Sequence, residues 1–176
     1  MPRRRILGID PGSQRTGYGI LDVCGSDLSP VAWGVIRTDS GGSFPDRLYR
    51  IHERLSEVIR LHRPTEAAVE NVFLARNPAS ALKLGQARGV AIVACRAHGL
   101  TLYEYSPKEI KLAATGFGAA DKEQVGGMVC RLLGIRESVP PDASDALAVA
   151  FCRAVTRSSL SSRIRGADET PMKTNR

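Results

Sequence analysis

Residues 3–22 read "RRRILGIDPGSQRTGYGILD", and the fold follows from how this stretch divides. Ile6, Leu7 and Ile9 are strand formers, and Pro11-Gly12 stops the run at once. A second strand-like run, "TGYGILDV" from Thr16, follows a short polar link, so the pair reads as a β-hairpin with Asp10 at its rim. A core strand that closes on a carboxylate admits two readings. Asp10 stabilises the turn through its side chain, or it presents a functional group at the sheet's end.

Working outward, a third strand-like run covers 30–38, and the period then changes. Leu48, Ile51, Leu55, Val58 and Ile59 recur at helical spacing through "DRLYRIHERLSEVIRLH", which Pro64 ends. "EAAVEN" is a short strand with Glu70 near its C-terminal end. Asn77-Pro78 starts a helix that Gly99 stops. Leu82, Gly89, Val90, Val93 and Ala97 line one apolar or small face of that helix, and Leu84, Ala87, Ala91 and Cys95 line another. A helix apolar on two sides is deeply buried, or buries its second face, taken here as the one with Ala91, in a partner subunit. "LTLYEYS" is a further strand, a short helix starts at Pro107, and Asp121 opens another. Pro140-Pro141 precedes a last helix, "DASDALAVAFCRAVTR". The order βββαβαβααα implies an α/β structure, a mixed five-stranded sheet that joins an antiparallel hairpin to parallel strands added by helical crossovers. One domain over 1–157 is expected, followed by a disordered tail over 158–176 with almost no apolar residue.

A net charge of +7 and a pI near 9.6 point to an acidic partner, with DNA or RNA foremost. Solvation of the surface is the plainer use of such charge. No apolar run is long enough to span a bilayer, so no membrane role is expected. Cys24, Cys95, Cys130 and Cys152 stand far apart with no CxxC spacing, which argues against zinc and disulfides. Apolar neighbours make them read as buried reduced thiols, as in a cytoplasmic protein.

Functional groups of such sheets gather where the carboxyl ends of parallel strands meet helix termini. Asp10 and Glu70 end strands, and Asp142 and Asp145 share one face of the last helix's first turn. Capping explains the last pair equally well. Four carboxylates brought together need positive charge among them. Oxygen-only ligands suit Mg²⁺ or Mn²⁺, and two such ions serve phosphodiester hydrolysis.

Four stretches carry a resemblance: "ILGIDPGSQRTGYGILD", "VENVFLARNPASALKLGQARGVAI", "GFGAADKEQV" and "PPDASDALAVAFC". Across about residues 5–155 the chain resembles the RuvC family of bacterial Holliday junction resolvases, within the RNase H-like superfamily. The resemblance implies an RNase H-like fold in which Asp10, Glu70, Asp142 and Asp145 bind two Mg²⁺ per subunit, with Mn²⁺ as substitute. It places Lys111 and Lys122 near the scissile phosphate, Phe73 against an unpaired base, and Arg76 among the DNA contacts. Lysines are otherwise ordinary solvated residues, and Phe73 otherwise a core residue. The resemblance further implies a homodimer that cuts four-way junction DNA by paired symmetric nicks in recombination and repair. The branch-migration complex RuvA–RuvB is the expected partner. Two alternatives stay open: an RNase H-like nuclease on RNA or hybrids, and a binding protein for branched DNA that does not cut. An actin-like ATPase is disfavoured, because 176 residues are too few for its two lobes.

Overall fold

The structure, a computed structural model, describes residues 3–38, 41–71 and 77–164, with side chains through residue 156. Phe73 and Arg76 therefore lie outside the described residues.

The elements are β1 (Arg4–Asp10), β2 (Arg15–Cys24), β3 (Asp27–Arg37), α1 (Phe44–His62), β4 (Glu66–Glu70), α2 (Pro78–Ala97), β5 (Thr101–Tyr105), α3 (Pro107–Thr115), α4 (Lys122–Leu132) and α5 (Pro141–Ile164). The expected βββαβαβααα order is the observed one. The sheet runs β3-β2-β1-β4-β5, antiparallel across β3-β2-β1 and parallel across β1-β4-β5. Local signals set the helix starts. Asn77 accepts hydrogen bonds from the backbone of Ala79 and Ser80 ahead of Pro78, and Ser106 and Asp121 each form a capping box, with Glu109 and Gln124. The last helix departs from expectation, running on through Ile164 rather than stopping at 157. No proline or glycine interrupts the chain there before Gly166.

Strand alternation sorts the core into two layers. Leu7, Ile9, Ile20, Ala67 and Val69 face α1 and α2, while Ile6, Leu21, Val23 and Ala68 face α3, α4 and α5. By the same alternation Gly8, Asp10, Gly17, Gly19, Glu66 and Glu70 project toward α5. This strip of glycines lets the helix backbone lie directly on β1 and β2. A Cβ on Gly17 would overlap the Asp142 carbonyl, and one on Gly8 the Ala146 carbonyl. The α5 residues that settle there include Ala143, Ala146 and Ala150, with Leu147 over Gly19, all four buried.

Two expectations are corrected here. Ala91, with Ala87 and Cys95, is fully buried against the sheet, so this face of α2 is the core face. The outward face carries Leu82 and Val93, 65% and 59% exposed. Cys24 is exposed, because it ends β2 at the turn formed by Gly25. Cys95 and Cys152 are buried, and burial pushes their thiols up to about 12 and about 11.

At the hairpin's open end, Arg5 donates from Nε and Nη2 to Asp22 at 2.8 and 2.9 Å, with Arg3 as a further partner. Arg5 Nη1 also donates to the His62 carbonyl at 2.7 Å, tying the end of α1 to β1. The Arg5 hydrogen bond is the main force that lowers the Asp22 pKa from 3.8 to about 2. A depressed carboxyl contributes stability above its unfolded pKa and loses it as pH falls through the folded one. Wild type should therefore lose about 2 kcal/mol more between pH 4 and pH 2 than Asp22→Asn, measured by urea unfolding at each pH. Equal losses would show that the pair contributes nothing.

Candidate active site

Three chain segments deliver acidic groups to one place. β1 ends on Asp10 and β4, its parallel neighbour, ends on Glu70. α5 begins beside them, with Asp142 and Asp145 in its first turn and Pro141 at its start. The loop after Asp10 is held by the fully buried Thr16, whose hydroxyl donates to the Gly12 carbonyl at 2.9 Å. Asp10, Glu70 and Asp145 line a cleft of about 530 Å³ with Lys111 and Lys122. Pro107, Ile110, Val125 and Val149 form its apolar wall. Asp142 is not in the lining, yet its charge reaches Asp10.

The electrostatics record this crowding. Burial pushes the Asp10 carboxyl up to about 7, with Asp145, Glu70 and Asp142 adding to the rise and Lys122 opposing it. Glu70 is raised as well, first by burial, then by Asp145, against Lys122 and Lys111. Lys122 donates from Nζ to Asp145 Oδ2 at 2.7 Å. Burial disfavours the Lys122 charge, but Asp145, Asp10 and Glu70 outweigh that and raise its pKa. Five of the six charged residues singled out in the described sequence thus line one cleft, and Asp142 sits at its edge. Among the described residues no three acidic, imidazole or thiol groups are close enough to chelate an ion as they stand. Lys122 and Lys111 put positive charge among the carboxylates.

The donor set fits a hard divalent cation. It is all oxygen, with no thiol or imidazole in the lining. Like charges raise Asp10, and a cation among them would reverse that effect. The apolar wall was not anticipated. Ile110 and Val125 follow ordinary core periodicity, and nothing local in the sequence separates a cleft wall from a core.

A family model for "Crossover junction endodeoxyribonuclease RuvC" matches residues 6–153. A protein of that name from Methylococcus capsulatus is 55% identical over 157 residues, covering 89% of this chain and 94% of the relative. Another from Coxiella burnetii is 51% identical over 169 residues, covering 96% and 97%. Among solved structures, T. thermophilus RuvC in complex with Holliday junction substrate superposes with a TM-score of 0.84 at 35% identity, over 90% of this chain and 97% of that one. The yeast mitochondrial resolvase Ydc2, at 16% identity and a TM-score of 0.69, shares the fold.

Proposed function

The chain belongs to the RuvC family of crossover junction endodeoxyribonucleases, and from that premise we propose that it resolves four-way DNA junctions by paired symmetric nicks. The observation that carries this reading is the cleft in which the ends of β1 and β4 and the start of α5 meet two lysines. Asp10, Glu70, Asp142 and Asp145 would hold two Mg²⁺ per protomer, with Mn²⁺ as substitute. Bound there, the ions supply Lewis acidity and a nucleophilic water near neutral pH.

The chain's own groups do the rest. The carboxylates fix the direction from which water attacks, so the cut leaves a 5′-phosphate and a 3′-hydroxyl. Lys122 and Lys111 are drawn to the non-bridging oxygens of the scissile phosphate and neutralise charge that builds there. The basic surface holds the DNA backbone. Phe73 and Arg76 follow Glu70 closely in sequence, and we assign them to stacking on an unpaired base and to phosphate contact. We assign the nuclease unit to 1–157, with α5 running on past it to Ile164. Residues 158–176 carry four basic and two acidic groups and add weak, salt-sensitive affinity. A cytoplasmic site of action and delivery by RuvA–RuvB complete the reading. No helix among the described residues is long and apolar enough to cross a membrane.

The deciding assay sets a synthetic four-way junction, a duplex and an RNA–DNA hybrid side by side, with and without Mg²⁺. Junction cleavage in matched pairs, dependent on the ion, is the expected result. Preferred cutting of the hybrid would move the assignment to the RNase H type.

Paired nicks need two active sites, and the outward face of α2 supports a homodimer. Gly89, Val90 and Val93 form a groove there of about 430 Å³ with Leu48, Tyr49 and His52 of α1. Val93→Glu should leave the fold intact, because the side chain is 59% exposed. It should bury a charge in the dimer and yield monomers in sedimentation. A dimer that persists would move the interface elsewhere.

A further inference from the structure

The geometry points to a role for the ion pair buried midway along α5: we propose that Glu66 and Arg153 form a register peg. It fixes where along β4 the helix lies, and hence how far Asp142 and Asp145 stand from Glu70 and Asp10. This rests on reading those carboxylates as one metal site. Arg153 and Glu66 are 4% and 6% exposed, and Arg153 Nε donates to Glu66 Oε2 at 2.7 Å. Arg4 Nη1 donates to Glu66 Oε1 at 3.2 Å, and the Arg153 guanidinium lies 3.3 Å from the centre of the Tyr103 ring. Arg153 is thereby tied directly to β4 and β5, and through Glu66 to Arg4 of β1.

The spacing connects this pair to the cleft. Glu66, Ala68 and Glu70 alternate onto the α5 side of β4, while Asp145, Val149 and Arg153 follow at steps of four along one ridge of α5. The helix rises about 12 Å from Asp145 to Arg153. The strand rises about 13 Å from Glu66 to Glu70. Two elements running in opposite directions therefore match at both ends, Arg153 on Glu66 and Asp145 across from Glu70.

Beside this pairing, Ala146 and Ala150 lie on Gly8 of β1, and so smooth a contact resists sliding poorly. A slip of one turn would carry the carboxylates about 5.4 Å out of place. A buried ion pair adds little stability over an apolar pair of similar volume, and its best-attested use is to fix register. Burial works against the Arg153 charge here, yet hydrogen bonds to Tyr105 and Glu66 more than restore it.

The test replaces the pair by apolar residues, Glu66→Met with Arg153→Met, and measures four quantities. These are thermal unfolding, junction affinity in EDTA, Mn²⁺ affinity by electron paramagnetic resonance, and single-turnover cleavage. Melting and junction affinity should stay within about twofold-equivalent limits of wild type, while Mn²⁺ affinity falls about tenfold and cleavage about tenfold to a hundredfold. A variant that binds Mn²⁺ and cuts like wild type overturns the proposal. If the double variant does not fold, Glu66→Gln and Arg153→Lys decide instead. Each keeps one hydrogen bond and should lose about threefold to tenfold in both Mn²⁺ affinity and cleavage. Unchanged Mn²⁺ affinity in both would overturn it. A wild-type chain that neither binds Mn²⁺ nor cuts a junction would instead refute the metal-site reading itself.

Discussion

Asp10→Asn is expected to lower junction cleavage by more than about a thousandfold while junction affinity in EDTA stays near wild type. Asparagine keeps the shape of the side chain and its place at the end of β1. What it removes is one charge from the group that would hold the ions. The basic contacts to phosphate lie on other residues and survive. The same substitution should also make the metal-free protein more stable. Burial and three like charges push the Asp10 carboxyl up to about 7 in the fold, against an ordinary value of 3.8. A raised carboxyl costs the folded state nothing below pH 3.8, where both states are protonated. The cost grows as pH rises toward 7 and then levels off, reaching at most a few kcal/mol. The melting gain of Asp10→Asn in EDTA should therefore be clear at pH 7.5 and gone near pH 4. Loss of cleavage and junction binding together, in folded protein, would remove Asp10 from the metal site.

Gly17→Ala is the second large effect, and it acts by steric force alone. Gly17 pairs across the hairpin with Asp10, and α5 rests directly on it. The new methyl group would meet the Asp142 carbonyl, a backbone atom that no rotamer change can move aside. The first turn of α5 must lift, taking Asp142 and Asp145 away from Asp10 and Glu70. A cost of about 1–3 kcal/mol in stability is expected, with about a hundredfold loss of cleavage. Gly127→Ala is the control. Nothing lies near a Cβ at Gly127, in the middle of α4, so alanine there should stabilise by up to about 1 kcal/mol with cleavage unchanged. Wild-type cleavage by Gly17→Ala would show that α5 has slack at its start.

What the sequence revealed and what it hid divide along physical lines. Punctuation is local, so Pro11-Gly12, Asn77-Pro78 and Asp121 placed the hairpin and two helix starts correctly. Asp10 and Glu70 were legible because strand ends can be read from the same punctuation. Asp142 and Asp145 were legible as a pair, but one that capping explains equally well. The two faces of α2 were not separable. Both carry small residues, and only the sheet that covers Ala87 and Ala91 distinguishes them. The Lys122–Asp145 contact joins residues 23 apart in sequence, and Glu66–Arg153 joins residues 87 apart. No periodicity reports such partners. Gly8, Gly17 and Gly19 have no side chain to signal what covers them, and only α5, packed directly on them, accounts for the strip.

The position of α5 after all five strands also sets the order in which the acidic cleft can assemble during synthesis. Asp10 and Glu70 come early in the chain, and the sheet surface that α5 covers is complete once β5 has formed. The remaining carboxylates arrive only with residues 142 and 145, after the whole sheet has been made. Loop closure over more than seventy residues separates Glu70 from its partners, which makes that contact slow as well as late. A nascent chain, or a folded chain whose last helix has opened, holds at most half of the acidic set. On the proposed assignment such a species would keep its basic surface for DNA but lack half of the groups needed to cut it.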